Sequence, residues 1–423
     1  MANIGTIAVS LVITNEYSIQ IENNDIIEVS IFEDIYNFCM YGYITFIDKI
    51  GHTEILENLN GQYPLKIEWM EENSTKMSRI FNVYETDPVV SDSQLDPGMK
   101  VIKWTFADEI LSHLRRKALC LNWGSTGTDG STIIEQMASN IPDLSDRTKF
   151  KQFEETDTTF TNIDMNLKDI ASNIKWIKKR CCSTSGNLGY LFYKNSQGVN
   201  FVTIQKLIES TEREKDDNGN SVRYVFSSQD DSTNKILEWQ ILPPGNIESF
   251  SNLAGSTYVS VGPNKQIIMS QNNYSQLISK AKMNISKITS AVPFSYDIKN
   301  NNPKMFIGME GDKEKIDNAT MYTFLLRLYA MNTIHLVVRG DSARYAGMLI
   351  DIDWKSSDPK MLTDKTMEGT WLVKAITHQF IPKGVTPPYR QLLVCMRPGY
   401  NQKDAKNSQI TGVSSNKKTS VLN

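Results

Sequence analysis

Apolar and polar residues alternate along much of this chain in short runs, and one such run occurs twice. Leu65-Lys66-Ile67-Glu68-Trp69 is written again as Ile350-Asp351-Ile352-Asp353-Trp354, 285 positions later. Alternation at a period of two sends successive side chains to opposite faces of a sheet, so both stretches predict strands with one apolar and one charged face. The neighbours match in order. A strand is predicted before each copy (Tyr43 to Ile47; Ile334 to Val338) and two after it (Ile80 to Tyr84 then Val101 to Phe106; Trp371 to Ile376 then Leu392 to Met396). One small antiparallel β unit is therefore predicted to be used twice. Two similar units per subunit can imitate a ring of twice the subunit count, so the duplication suggests symmetry.

The first 110 residues are strand-rich throughout. Ile7 to Ile13, Tyr17 to Ile21 and Ile26 to Phe32 join the four runs around the first copy, with turn signals at Asn23-Asn24-Asp25, Asn60-Gly61 and Asp96-Pro97-Gly98. Short strands at this spacing suggest a barrel or sandwich. A mixed region follows. Thr132-Ile133-Ile134-Glu135 reads as a capping box, with Ile134, Met137 and Ile141 on one helix face. Asn166 is placed to cap a second helix running through Arg180 with the stripe Ile170, Ile174, Ile177. Lys175, Lys178, Lys179 and Arg180 gather near its C-terminus; the plain reading is a solvated helix end, the sharper one an anionic partner. Tyr190 to Tyr193 and Val199 to Ile204 form a predicted hairpin with apolar residues on both faces.

Residues 209 to 235 read as a charged, solvated loop that lacks the ligand spacing of a calcium site. A strand is predicted over Ile236 to Leu242 and others near Tyr258 and Ile267, then helices over Leu277 to Ile288 and after a cap at Asp317 or Asn318. Asn401 to Asn423 is a polar tail without periodicity, predicted to be disordered when alone.

Composition narrows the classes. At 423 residues, two to four domains are expected, and 40% hydrophobic with 22% charged residues is ordinary for globular protein. The net charge of -3 argues against a protein that wraps duplex nucleic acid. No apolar run approaches the length of about 18 residues that crosses a bilayer, and Met1-Ala2-Asn3 lacks the charged start of a signal peptide, which predicts a soluble protein with no membrane insertion. Cys39, Cys120, Cys181, Cys182 and Cys395 are few, odd in number and scattered, as suits reduced thiols.

No constellation of residues asks for catalysis, a cofactor or a metal. His52, His113, His335 and His378 lie far apart, and the two within strand readings fit hydrogen-bonded structural roles. There is no P-loop, G-x-G-x-x-G or G-x-S-x-G motif, and no carboxylate pair stands out among the 48 acids. Glu68, Asp351 and Asp353 in the twinned strands read as the solvent face of a sheet. If those faces line a channel, they would present negative charge to its contents.

Several segments taken together resemble the central baseplate hub protein of contractile-tailed, T-even-like phages. Ile31-Phe32-Glu33-Asp34-Ile35, Gly42 to Asp48, and Gly61 with the strand ending at Trp69 resemble its first barrel. Ile174-Lys175-Trp176-Ile177, Gly189 to Tyr193, Gly198 to Phe201 and Leu207 look like its helix and hairpin. Val338-Arg339-Gly340-Asp341, Gly347, Gly369 to Val373 and His378 resemble its second barrel. The resemblance implies a mainly β (α+β) fold of two similar antiparallel β-barrels plus a mixed α/β region with a few helices. It places the first barrel at 1–110, the mixed domain at 111–206 and 251–332, the second barrel at 207–250 and 333–400, and the tail at 401–423. It further implies a non-enzymatic homotrimer, a pseudo-sixfold ring joining a sixfold tail tube protein to a threefold central spike protein beside other baseplate proteins. DNA or a tape measure protein is a candidate for the lumen, whose contents the sequence leaves open, and the particle, a virion tail, would be assembled in the host cytoplasm. Two other readings remain open: the hub part of a type VI secretion or phage-like injection spike, and a β-rich cell-wall hydrolase.

Overall fold

The computed structural model describes residues 7–12, 18–49, 51, 64–70, 76–89, 100–123, 126–142, 144–161, 163–210, 213, 222–225, 235–242, 322, 326, 330, 332–354, 368–382 and 387–397. The strands read near Tyr258 and Ile267, the helices read from Leu277 and from Asp317 or Asn318, the tail and most of the charged loop lie outside these residues.

Seven strands come first: β1 (Ile7–Val12), β2 (Ser18–Ile21), β3 (Ile26–Asp34), β4 (Tyr41–Asp48), β5 (Pro64–Met70), β6 (Lys76–Val89) and β7 (Lys100–Ala107). Their alternation is carried into burial, with Ile7, Val9 and Leu11 inward on β1 and Leu65, Ile67 and Trp69 inward on β5. All seven strands feed one core. At its centre Phe46 meets Trp104 edge-on, centroids 4.7 Å apart, and Phe81 meets Phe106 at 4.8 Å. Edge-on and tilted ring pairs of this kind add to plain area burial.

The mixed region contains α1 (Ile110–Arg116), β8 (Ala118–Trp123), β9 (Thr128–Asp129), α2 (Gly130–Ala138), β10 (Gln152–Phe153), β11 (Thr159–Phe160), β12 (Ile163–Asp169), α3 (Ile170–Lys178), β13 (Tyr190–Asn195), β14 (Gly198–Thr203) and α4 (Ile204–Glu209). Ile134, Met137 and Ile141 from α2 and its end, with Ile170, Ile174 and Ile177 from α3, form a second core beneath the hairpin β13–β14. The helix starts differ from the sequence reading. Asp129, and not Thr132, caps α2, accepting from Thr132 N at 2.8 Å and Thr132 Oγ1 at 2.7 Å, while Glu135 turns away to Arg147 at 2.6 Å. Asn166 lies within β12, which pairs with β8 as far as Asp169; Asp169 caps α3 through Ser172 N at 2.6 Å. In both cases a carboxylate at the positive end of the helix takes the place read for a neutral side chain.

The basic cluster at the end of α3 also differs from its plain reading as a solvated end. Lys178 is buried, its Nζ 5.3 Å from the Phe38 ring centre and 6.0 Å from that of Tyr322. Arg180 folds back over Trp176, 4.0 Å from the ring centre, and donates to the Trp176 carbonyl at 3.0 Å.

The remaining strands are β15 (Arg223–Val225), β16 (Ile236–Leu242), β17 (Asn332–Arg339), β18 (Leu349–Asp353), β19 (Gly369–Phe380) and β20 (Tyr389–Arg397). A third core gathers Tyr224, Ile334, Leu336, Ile350, Ile352, Trp371, Leu393 and Cys395. The duplication is exact in strand order: β3-β4-β7-β6-β5 is repeated as β16-β17-β20-β19-β18. Its irregularities are duplicated too. β3 skips a residue between Ile26 and Glu28 opposite Phe46 and Thr45, as β16 does between Ile236 and Glu238 opposite Val338 and Val337. β6 skips one between Val83 and Glu85 opposite Phe106 and Thr105, as β19 does between Val373 and Ala375 opposite Cys395 and Val394. Leu65 faces Phe81 as Ile350 faces Trp371, so the repeated pentapeptides coincide in register.

The two β units are fused into one thirteen-stranded sheet. Along a single edge of β19, residues Gly369 to Leu372 pair with β18 and Ala375 to Phe380 pair with β3, while β20 occupies the other edge. The bulge residue Lys374 marks the hand-over, its carbonyl accepting the Ile35 N–H at 3.0 Å.

Lys178 supplies a pH test of the second core. Burial, with Lys179 and Lys175 adding, pushes its ammonium from 10.5 down to about 7. A folded-state value below the unfolded one destabilises fully below about pH 7, and the penalty fades as pH rises toward the ordinary lysine value. Lys178→Met is expected to raise the free energy of unfolding, by up to roughly 5 kcal/mol at pH 6, with most of that gain gone by about pH 10. Chemical denaturation of both proteins at the two pH values checks this.

Candidate functional site

The three cores meet at the end of β3, and the meeting point is polar. Glu33 follows Val29 and Ile31 on the inward face of the strand and is fully buried. Its Oε1 accepts the N–H of Ser196, at the tip of the hairpin β13–β14, at 3.1 Å. Its Oε2 accepts the N–H of Ala346, in the loop between β17 and β18, at 3.0 Å. His378 on β19 brings Nε2 within 3.4 Å of Oε1, in ion-pairing range. One carboxylate thus ties the first β unit, the mixed region and the second β unit together.

Around it the partners are themselves fixed. Asn195 donates to the Ala346 carbonyl at 2.7 Å and accepts from Gln197 N and Gly198 N at 2.9 and 3.1 Å, which shapes the hairpin tip. Arg79 of β6 reaches the Ser196 carbonyl at 3.1 Å. Gly347 adopts φ +100, and a Cβ there would stand 2.4 Å from the Tyr193 hydroxyl, so only glycine lets the loop lie against the hairpin. Beneath the same loop Arg344 is fully buried, donating to the Tyr224 hydroxyl at 2.6 Å, the Arg339 carbonyl at 2.5 Å and Gln391 Oε1 at 2.9 Å. Gln391 Nε2 donates to the Asp341 carbonyl at 2.6 Å and lies 3.2 Å from His378 Nδ1, which is 3.0 Å from the Tyr389 hydroxyl. Hydrogen bonds therefore run from His378 through Gln391 and Arg344 to Tyr224, with His378 Nε2 3.4 Å from Glu33 at the other end.

A smaller network crosses the outer face of the same junction. Glu28 accepts from Gln379 Nε2 at 2.8 Å, and Arg390 Nε donates to Gln379 Oε1 at 2.7 Å. Burial works against the Glu28 charge, but hydrogen bonds from Ser30, Gln379 and Tyr43, with the Arg390 charge, hold its carboxyl below the usual range.

The acids singled out by the repeat are elsewhere. Glu68 lies on the outward face of β5, 2.8 Å from Lys66; Asp351 and Asp353 lie on the outward face of β18, 3.2 Å from Arg213 and 2.9 Å from Arg223. By register Glu68 corresponds to Asp353 and Lys66 to Asp351. They are not brought together with the Glu33 network, and each stands beside a cation. His335 is on β17, where burial, then Lys374, lowers its pKa; His113 lies 3.4 Å from exposed Glu109; His52 is outside the described residues. Cys39, Cys181, Cys182 and Cys395 are buried and unbridged, and burial pushes the Cys39 thiol up to about 12. Among the described residues no group of three His, Cys, Asp or Glu is placed to hold a metal ion.

The arrangement orients three bodies of chain and leaves little of its polar surface to a ligand. Glu33→Ala is expected to strand the buried N–H of Ala346 and the half-buried N–H of Ser196 and lower stability by roughly 3 kcal/mol or more, with Glu33→Gln losing less. Hydrogen exchange provides the local readout: the amides of Ser196 and Ala346 should lose protection before those of the β1–β7 core.

No protein-family model matches the chain, and no curated protein does. Solved structures are similar to it. The 43 kDa tail protein of prophage MuSo2 from Shewanella oneidensis aligns over 93% of this chain and 99% of its own, at 9% identity and a TM-score of 0.50. The tail protein from Neisseria meningitidis MC58 aligns over 94% and 98%, at 8% identity and 0.48. The c3393 protein of E. coli, a type VI secretion component described as similar to bacteriophage T4 tail proteins, aligns over 88% and 73%, at 8% identity and 0.46. This chain and the MuSo2 tail protein share one mainly β fold along nearly their whole lengths.

Proposed function

We propose that this chain is a structural component of a phage-like tail, the hub of its baseplate. Three copies would form a ring of six β units that joins a sixfold tail tube to a threefold central spike, with other baseplate proteins around it. The observation that carries the reading is the repeat, two five-strand paths of identical order with both bulges at matching positions in one continuous sheet. A subunit built of two near-equivalent units presents similar surfaces twice, which is what contact with a partner of doubled symmetry requires. The fold shared with a prophage tail protein supports the same setting. The role is one of assembly and not of catalysis, in a virion tail put together in the host cytoplasm.

On this reading the outward faces of β5 and β18 would recur around the lumen, with Glu68, Asp351 and Asp353 on its wall. Their pairing with Lys66, Arg213 and Arg223 makes that wall mixed in charge. Passing DNA or a tape measure protein would then meet ion pairs and little net repulsion.

Sedimentation of the purified chain, alone and mixed with the tail's central spike protein, is expected to give the mass of three chains. Negative-stain images should show a threefold ring with a central opening. A monomer at every concentration in both conditions would remove the reading. Peptidoglycan zymography should show no clearing, and reversing all three acids should alter passage through the assembled tail.

A further inference from the structure

The junction between the two β units of one chain has counterpart residues on two other edges of the same sheet. Counting from the matched bulges, Ser30, Ile31 and Phe32 of β3 correspond to Gln240, Ile241 and Leu242 of β16. In the same way Thr377, His378 and Gln379 of β19 correspond to Asp87, Pro88 and Val89 of β6. Within the chain these β3 and β19 residues pair, Thr377 with Phe32, His378 with Ile31 and Gln379 with Ser30. Their counterparts do not. Among the described residues β16 pairs with β17 alone, and β6 beyond Asn82 pairs with β7 alone. Along the sheet, β17, β20, β19, β3, β4 and β7 stand between the two unused edges, and among the described residues the chain does not pair them.

We propose that β16 of one copy adds to the distal half of β6 of the next, reproducing the β3·β19 junction with Asp87 opposite Leu242, Pro88 opposite Ile241 and Val89 opposite Gln240. The contact is heterologous, one edge of each kind per chain, and such contacts close into rings when the rotation permits. Tyr84 supports it. This residue occupies the bulge position equivalent to Lys374 and is 51% exposed. In the existing junction Lys374 accepts the Ile35 N–H and holds its Nζ 5.1 Å from the Tyr36 ring centre. An exposed aromatic side chain thus sits where the chain's own junction makes contacts.

Pro88 bears on the same point. The Ile35 to Lys374 bond sets the alternation by which His378 turns its N–H and C=O toward β3. Pro88, in the equivalent place, lacks an N–H that would have faced the unused edge, so β6 loses no bond to β7. The copy-to-copy pair there keeps one bond, from Ile241 N–H to the Pro88 carbonyl. A proline at such a position discourages indiscriminate strand addition.

The number of chains in the ring rests on the function proposed above; which edges meet does not. Val89 and Gln240 form a non-hydrogen-bonded pair in this register, with Cα atoms about 4.5 Å apart, within reach of a disulfide. The full chain carrying Val89→Cys and Gln240→Cys, mildly oxidised, is expected to give a non-reducing gel ladder that stops at three chains. Val89→Cys with Ile241→Cys, one residue out of register, should lose most of the product. In the unsubstituted chain the Ile241 amide should become slow to exchange on assembly. A sedimenting trimer with neither cross-link nor protected amide overturns this pairing and leaves the ring. A monomer under all conditions overturns the ring and the pairing with it.

Discussion

The architecture depends on keeping the backbone hydrogen bonds of β19 satisfied along both edges. A buried N–H or C=O without a partner costs about as much as a lost hydrogen bond, and an open edge in water is a template for unwanted pairing. β19 is twelve residues long, and β18 covers only the part from Gly369 to Leu372 on one edge. β3 takes the rest, from Ala375 to Phe380, and so the first β unit is attached to the second by the same ladder that holds each together. The bulge at Lys374 makes this possible. An extra residue raises the local twist and redirects the strand, so its two halves face different neighbours without a break.

Backbone pairing alone tolerates sliding, and side chains remove that freedom. Moving β3 by one residue along β19 would take Glu33 from Ser196 and Ala346 and leave a carboxylate in an apolar interior. Desolvating a charge is expensive, and only in the correct register do its bonds offset that cost. The Glu33, His378, Gln391 and Arg344 network therefore selects one arrangement more than it adds net stability. It also explains why the mixed region is held to both β units. The hairpin tip at Asn195 to Gly198 reaches the same carboxylate that anchors the loop before β18.

Much of the β structure was legible because alternation is a direct image of a half-buried strand. β16 matches its predicted span, and the inward residues of β1 and β5 follow the period of two. The helix starts were misread because Thr132 and Asn166 satisfy a local pattern, while Asp129 and Asp169 satisfy it with a charge and with a strand that runs up to the cap. Lys178 was misread because its neighbours, Phe38 and Tyr322, are far away in sequence. The junction carried a signal that went unused. Glu33 is in phase with Val29 and Ile31, His378 with Ile376 and Phe380, and Gln391 with Leu393 and Cys395. A polar residue at a core phase marks a buried partner, although only the fold says which one.

The repeat also shows where the two halves were made different. His378 has Pro88 as its counterpart. A buried network of polar side chains thus sits at the junction inside the chain, and at the place of its histidine the edge of β6 carries a proline. The internal junction lies within one chain, where the buried carboxylate has fixed partners in Ser196 and Ala346. On the proposed pairing, an edge that meets another copy only after folding would face the opposite demand, since a charged group there would be stranded and a full complement of N–H groups would invite any strand. Proline meets that demand by removing donors without breaking the ladder behind it. On the proposed pairing, this departure from perfect repetition would follow from one junction closing within a chain and the other between chains.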